Sequence, residues 1–204
     1  MTQLENMINE LCPDGVKYTK LSDIASYSKI RISADKLNKS NYISVENLLP
    51  DKAGKINAKA VPKEYNFIYY PFDTILIGNI RPYLRKIWIS DCEGGTNGDV
   101  LPVVIKDKNK IIPKFLFYVL SSENFFYYDI QHSKGTKMPR GDKTAIMNFY
   151  VPIPPIEIQR EIICILDKYS ASVAELQQML EKELNLRKKQ YEYYHDKILT
   201  FKEA

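Results

Sequence analysis

The chain has 204 residues, 45% of them hydrophobic and 12% aromatic, with a net charge of +4. That length and apolar content suit one ordinary domain with an appendage and exclude a disordered chain. No apolar run nears the ~20 residues of a membrane span, the N-terminus lacks a basic-then-apolar signal pattern, and Cys12, Cys92 and Cys164 make neither a disulfide framework nor a metal spacing, so a reducing cytoplasm is expected.

Residues 2–11 read as a short helix that stops at Pro13-Asp14-Gly15, and Ser22 is placed to cap a second short helix over 23–26. Short β-rich runs follow at Tyr42-Ile43-Ser44-Val45, Thr74-Ile75-Leu76-Ile77, Lys86-Ile87-Trp88-Ile89 and residues 100–105. Breakers at Pro50-Asp51, Gly54, Pro71, Pro82 and Gly94-Gly95 separate them. Pro113 then opens an apolar helix over 114–120, and an aromatic helix covers 124–131. The helical spacing of the aromatics in 115–128 favours core packing over stacking on single-stranded nucleic acid, and Trp88 reads as core too. Residues 135–142 are a loop, punctuated by Gly and Pro from both ends, and Tyr150-Val151-Pro152-Ile153-Pro154-Pro155 is extended. The expected front part, 1–155, is a mixed α+β (α/β) domain.

Everything changes after Pro155. No Gly or Pro occurs over 156–204, and apolar residues fall at Ile162, Leu166, Tyr169, Val173, Leu176 and Leu180 in steps of four and three, a coiled-coil seam. Leu184 comes four residues on, where three was due. The seam then resumes through Tyr191, Tyr194 and Ile198, with Arg187 filling one position; this stutter locally unwinds a supercoil. Lys168-Tyr169-Ser170-Ala171-Ser172 is the weakest stretch by helix propensity and a place to expect a bend. So long a stripe needs a partner helix, and 156–204 is expected to be a spacer and dimerisation region. This tail carries 8 Lys+Arg against 9 Asp+Glu, whereas 1–155 carries 21 against 16, so the positive charge sits in front. That mild excess only permits an anionic partner.

Familiar catalytic signatures are absent. There is no GxGxxG, GxxxxGK[ST], GxSxG, [Asp/Glu]-x-Lys or Asn/Asp-Pro-Pro-aromatic, and His132 and His195 are linked by no pattern. A loop or surface role is the plainer one for both histidines. Three basic clusters remain. In Asn79-Ile80-Arg81-Pro82-Tyr83-Leu84-Arg85-Lys86, arginines can bridge guanine edges and Asn can read adenine. In residues 133–143, glycines let amides approach phosphates beside Lys134, Lys137, Arg140 and Lys143. The third cluster holds Lys29 and Arg31. Each alone also fits a solvated polar loop; three in one basic domain favour nucleic acid. The nominated DNA contacts are Lys29, Arg31, Asn79, Arg81, Tyr83, Arg85, Lys134, Lys137, Arg140 and Lys143.

The ordered set Leu21-Ser22-Asp23-Ile24, Ile77-Gly78-Asn79-Ile80-Arg81-Pro82-Tyr83-Leu84, Gly95-Thr96-Asn97-Gly98-Asp99-Val100, Gly135-Thr136-Lys137-Met138-Pro139-Arg140-Gly141 and Ile153-Pro154-Pro155-Ile156-Glu157-Ile158-Gln159-Arg160-Glu161-Ile162, followed by a long helix, resembles the target-recognition domain and spacer helix of type I restriction–modification specificity subunits. The resemblance spans nearly the whole chain, with two departures. Ile158 stands before Gln159 where relatives usually carry Glu, which weakens the helix-dipole interaction slightly. Relatives also usually hold two recognition domains and two spacer helices, whereas this chain has a single copy and no internal repeat.

The resemblance implies a non-catalytic, half-length subunit that binds double-stranded DNA and directs methyltransferase and restriction subunits to a bipartite site. S-adenosylmethionine, ATP and Mg are then expected only on those partners, and no cofactor or metal on this chain. Two copies pairing as an antiparallel homodimer, or one copy with a second half-subunit, would restore the two-domain arrangement. The rival readings are a stand-alone dimeric DNA-binding regulator, which would need a helix-turn-helix, and a coiled-coil adaptor whose front domain binds protein.

Overall fold

The computed structural model describes residues 3–63 and 66–201. The chain divides into two compact units at 162/163, and each is described by itself.

In the front unit, β1 (Tyr18–Lys20) leads directly into the single helical turn α2 (Leu21–Ile24), after the helix α1 (Gln3–Leu11). The helix read from residue 2 thus starts at Gln3, Thr2 lying outside the described residues. Ser22 does not cap α2: the turn begins at Leu21, its cap position is Lys20 with no side-chain bond, and Ala25 is already extended as β2 (Ala25–Tyr27). Strands β3 (Arg31–Ile32), β4 (Tyr42–Ile43), β5 (Phe67–Tyr70), β6 (Ile75–Gly78), β7 (Ile87–Ile89), β8 (Gly94–Thr96) and β9 (Val100–Ile105) follow. Then come α3 (Pro113–Leu120), α4 (Glu123–His132), α5 (Lys143–Asn148) and β10 (Tyr150–Pro152).

Among the described residues these strands make three sheets. β2-β9-β6-β7 is antiparallel throughout, and β3-β5-β8-β4 includes the parallel pair β4/β8. β1 and β10 form a separate antiparallel ribbon. All four residues of β6 and five of the six in β9 are buried, so these central strands read as continuous apolar runs without alternation. Ile43, Leu48, Tyr70, Leu76 and Val100 form one core cluster, which joins strands from both four-stranded sheets, and Trp88 packs half-buried against it. Phe115, Phe125 and Phe126 are buried, in keeping with a core role for the aromatic helices, while Tyr127 faces outward.

Gly94-Gly95, read from sequence as a breaker, is the strand β8. A side chain at Gly94 would lie 2.0 Å from the Asn41 carbonyl oxygen and 2.5 Å from the Tyr70 hydroxyl, and one at Gly95 would lie 2.7 Å from Leu37. Glycine is there because the flanking chain comes that close, not because the chain turns.

The long helix α6 (Ile156–Leu199) opens inside the front unit, where Ile158 and Gln159 are buried. Gln159 accepts from the Ile112 N–H (2.8 Å) and donates to the carbonyls of Lys110 and Pro154 (both 2.9 Å). The departure at Ile158 is thereby explained: the position is 1% exposed, where a carboxylate would be desolvated.

The second unit is the rest of α6. It is helical without interruption to Leu199, the 168–172 stretch of weak propensity included. At 1.5 Å per residue the 44-residue helix is ~66 Å long.

Candidate nucleic-acid interface

Two of the three basic clusters meet. Where β6 ends, residues 79 and 80 carry the chain on to a left-handed turn at Arg81, and the segment 139–141 lies along them, Ile80 bridging antiparallel to Arg140. Asn79 N–H donates to the Asp99 carbonyl (2.8 Å), Gly141 N–H to the Asn79 carbonyl (3.1 Å), and Arg81 N–H to the Pro139 carbonyl (2.8 Å). Lys134 and Arg140 exchange both backbone bonds at 2.9 Å, closing residues 134–140 into a narrow loop with Lys137 exposed at its tip. Gly135 turns that loop with φ of 99°, the left-handed region that favours glycine.

These loops border a cleft of about 430 Å³. Its wall carries donors (Arg81, Lys86), acceptors (Glu46, Asp99) and groups that do both (Ser44, Asn97). Lys86 reaches the Val45 carbonyl at 2.7 Å, and burial holds its pKa below the ordinary lysine value. A wall of both signs is poorly suited to phosphate alone. It matches the mixed donor and acceptor edges of bases, where carboxylates accept from cytosine and arginine donates to guanine. Arg31 lines a smaller neighbouring hollow of about 290 Å³ that shares Tyr42 and Asn97 with the cleft.

The nominated residues divide. Arg81 lines the cleft, half-exposed Tyr83 stands on the turn beside it, and Arg140 reaches Asp99 at 3.4 Å between exposed side chains. Asn79 is not available to a base: its side chain is buried beneath the loops, 4% exposed. Arg85 points away, pairing with Glu123 on α4 through both carboxylate oxygens (2.8 and 3.1 Å), and Glu123 also holds Lys52 at 3.2 Å. Lys134 is held by Asp142 at 2.6 Å. That contact, with the Thr144 and Ala145 amides that Asp142 caps at the head of α5, pulls the Asp142 pKa to about 2. Lys143 is exposed on the first turn of α5. Lys29 lies at a different hollow, beside Tyr27 and Pro71, and is not brought to the cleft.

Glu46, Lys86, Asn97 and Asp99 were not among the nominated contacts. Sequence signals existed for three of them: Lys86 ends the first basic cluster, and Asn97 and Asp99 sit in the Gly95–Val100 motif. Glu46 carries none, because only the parallel β4/β8 pairing brings its segment alongside Asn97.

In the second unit, Tyr169, Val173, Leu176, Leu180, Leu184, Tyr191, Tyr194 and Ile198 are each at least half exposed and Leu166 less so; Ile162, the last residue of the front unit, is half-buried. Among the described residues, no group of three or more His, Cys, Asp or Glu is arranged to hold a metal, and no helix is long and apolar enough to cross a membrane.

Residues 13–186 match the family described as the type I restriction modification DNA specificity domain. The EcoprrI specificity subunit of Escherichia coli is 39% identical over 97 residues, covering 44% of this chain and 24% of that protein. The MjaVIII specificity subunit of Methanocaldococcus jannaschii is 34% identical over 88 residues, covering 43% and 20%. Among solved structures, the HsdS subunit from Thermoanaerobacter tengcongensis superposes with a TM-score of 0.62 at 19% identity, over 88% of this chain and 50% of that one. The S subunit from M. genitalium gives 0.54 at 13%, over 85% and 44%. The matches thus span about a quarter of the sequence relatives and about half of the solved chains, and the latter establish the shared fold: an α+β domain followed by a long helix. Together with the match over most of the chain, this leads to one conclusion: the chain belongs to the type I restriction–modification DNA specificity family.

Proposed function

We propose that this chain is the DNA sequence-recognition subunit of a type I restriction–modification complex, non-catalytic itself, that reads double-stranded DNA with the cleft lined by Arg81 and Asp99, the latter bonded to Arg140. The observation that carries the reading is the cleft wall, where cationic, anionic and amide groups face one volume in a chain of the DNA specificity family. Lys137, Arg140 and Lys143 supply phosphate contacts around it, and Arg81, Glu46, Asn97 and Asp99 supply base readout. S-adenosylmethionine, ATP and Mg belong to methyltransferase and restriction partners, and this chain brings those partners to the site.

The exposed seam of α6 takes the matching seam of a second copy, antiparallel about a two-fold axis, so that a recognition domain stands at each end. The site is then a bipartite palindrome with a fixed spacer. Co-expression with a methyltransferase subunit, followed by mapping of methylated adenines, tests both parts. A bipartite palindromic motif is expected. Methylation that is absent or independent of this chain overturns the recognition role; a non-palindromic motif overturns the homodimer in favour of a second half-subunit.

A further inference from the structure

Helix α4 lies beneath the junction of the two loops, and one of its side chains has no obvious business there. Asp129 is 1% exposed, and neither carboxylate oxygen has a hydrogen-bond partner. The amide oxygen of buried Asn79 has none either. The two meet at Gly141: a side chain there would lie 2.4 Å from Asp129 Oδ1 and 2.9 Å from Asn79 Oδ1. Two unpartnered acceptor oxygens converging on one glycine, one of them from a carboxylate whose other oxygen is also unpartnered, are unfavourable unless a proton is shared between the groups.

We propose that Asp129 is a positioning residue of the recognition cleft, bonded to the Asn79 side chain and thereby holding residues 79–81 and 139–141 in the register that aims Arg81 and Arg140. This rests on the reading of the cleft as the DNA interface. The bond needs only the Asn79 amide turned so that its nitrogen faces the carboxylate, an orientation that heavy-atom positions do not distinguish.

The surroundings leave Asp129 no stronger partner. Arg85, on the turn against α4, goes to Glu123, and Lys134 goes to Asp142. Tyr27 donates its hydroxyl to the Lys143 carbonyl, and burial, with smaller contributions from Asp129 and Asp142, raises its pKa. His132, one turn along α4, bonds the Tyr128 carbonyl and only partly offsets the burial that lifts the Asp129 carboxyl to about 6. A neutral amide at 129 can both donate to and accept from Asn79 without that desolvation. Asp129→Asn should therefore preserve the link, whereas Asp129→Ala removes it.

The test is amide hydrogen exchange on the full chain for wild type, Asp129→Asn and Asp129→Ala. For Asp129→Ala the Arg81 and Gly141 amides are expected to exchange at least ~10-fold faster while those of β9 hold, and Asp129→Asn is expected to match wild type. Unchanged loop exchange in Asp129→Ala overturns the inference. So does an equal rise in β9, which marks general loosening, or failure of Asp129→Asn to rescue. In complex with the methyltransferase subunit, Asp129→Ala is expected to relax the methylated motif and Asp129→Asn to retain it. A wild-type complex that methylates nothing sinks the DNA reading, while the exchange result still decides whether Asp129 holds the loops.

Discussion

Gln159→Ala isolates what holds the first turn of α6 within the front unit. Gln159 is fully buried, and its amide satisfies one N–H and two carbonyls from two separate stretches, 110–112 and Pro154. Truncation orphans all three. The bond to Pro154 is buried and leaving it unmade costs about 1–3 kcal/mol; the bonds at 110 and 112 are part-buried and sit at the lower end of that range. Summed, the loss is about 3–5 kcal/mol before any cavity is counted, a large share of the stability of a domain this size. Gln159→Glu should lose at least as much, because a carboxylate still accepts from Ile112 but faces two carbonyl oxygens without a proton to give. Trp88 is the sole tryptophan and sits against the front core, so urea unfolding followed by its fluorescence reports the right unit. The midpoint should fall with little change in slope. A loss under ~1 kcal/mol for Gln159→Ala would refute the reasoning and mean that water replaces the amide.

Three further expectations follow from the same geometry. Asp142→Ala should unravel the start of α5 and free Lys134. Because the folded pKa of Asp142 is depressed to about 2, its contribution is present above its ordinary value near 4 and disappears as pH falls through 2; the mutant and wild-type midpoints should converge in that window. Lys137→Glu with Arg140→Glu should weaken binding to any duplex and flatten its salt dependence, read by titration across salt concentrations, since both leave fewer counterions to release. If α6 pairs through its seam as proposed, light scattering should give a dimer for wild type and a monomer for Leu176→Asp with Leu180→Asp; a wild-type chain already monomeric at micromolar concentration refutes the seam pairing.

Where the signal was local, the sequence was readable. Residues 100–105 coincide with β9, Pro113 opens α3 as its fixed φ predicts, and the heptad spacing marks α6. Segments whose form depends on distant chain were not. β8 is Gly-Gly-Thr, a poor strand by propensity that is held between β5 and β4. α5 follows a Gly-Pro loop and is set by the Asp142 cap, a signal that was present in sequence but hidden in what read as continuous loop. β5, Phe67-Ile68-Tyr69-Tyr70, is the opposite case, a plain β signature that is absent from the runs named from sequence. The binding residues divide in the same way. Basic loops were visible as composition, but composition does not say that Arg85 meets Glu123 across 38 residues or that Asn79 is covered by Gly141.

Arg81 joins these strands of argument, because its backbone and its side chain do different work. It sits at φ 54°, as does Arg85 at 51°, and the two flank the turn Pro82–Leu84. A left-handed conformation costs a non-glycine residue roughly 1 kcal/mol, and persists only where the surroundings over-determine it. Here they do: Arg81 N–H is bonded to Pro139, Asp51 N–H to Leu84 and Lys52 N–H to Arg85, while the Arg85 side chain is fixed by Glu123. The turn is therefore held rigid, and Arg81 is presented to the cleft with little freedom to lose on binding. Two substitutions separate the contributions. Arg81→Ala removes the side chain and keeps the strain; Arg81→Gly removes both and should be more stable than Arg81→Ala by about 1 kcal/mol in urea unfolding. Both should lose the same discrimination, ~1–3 kcal/mol at one base position, measured as the stringency of the methylated motif. If Arg81→Gly is no more stable, the turn is not strained; if Arg81→Ala methylates the wild-type motif with equal stringency, Arg81 does not read a base.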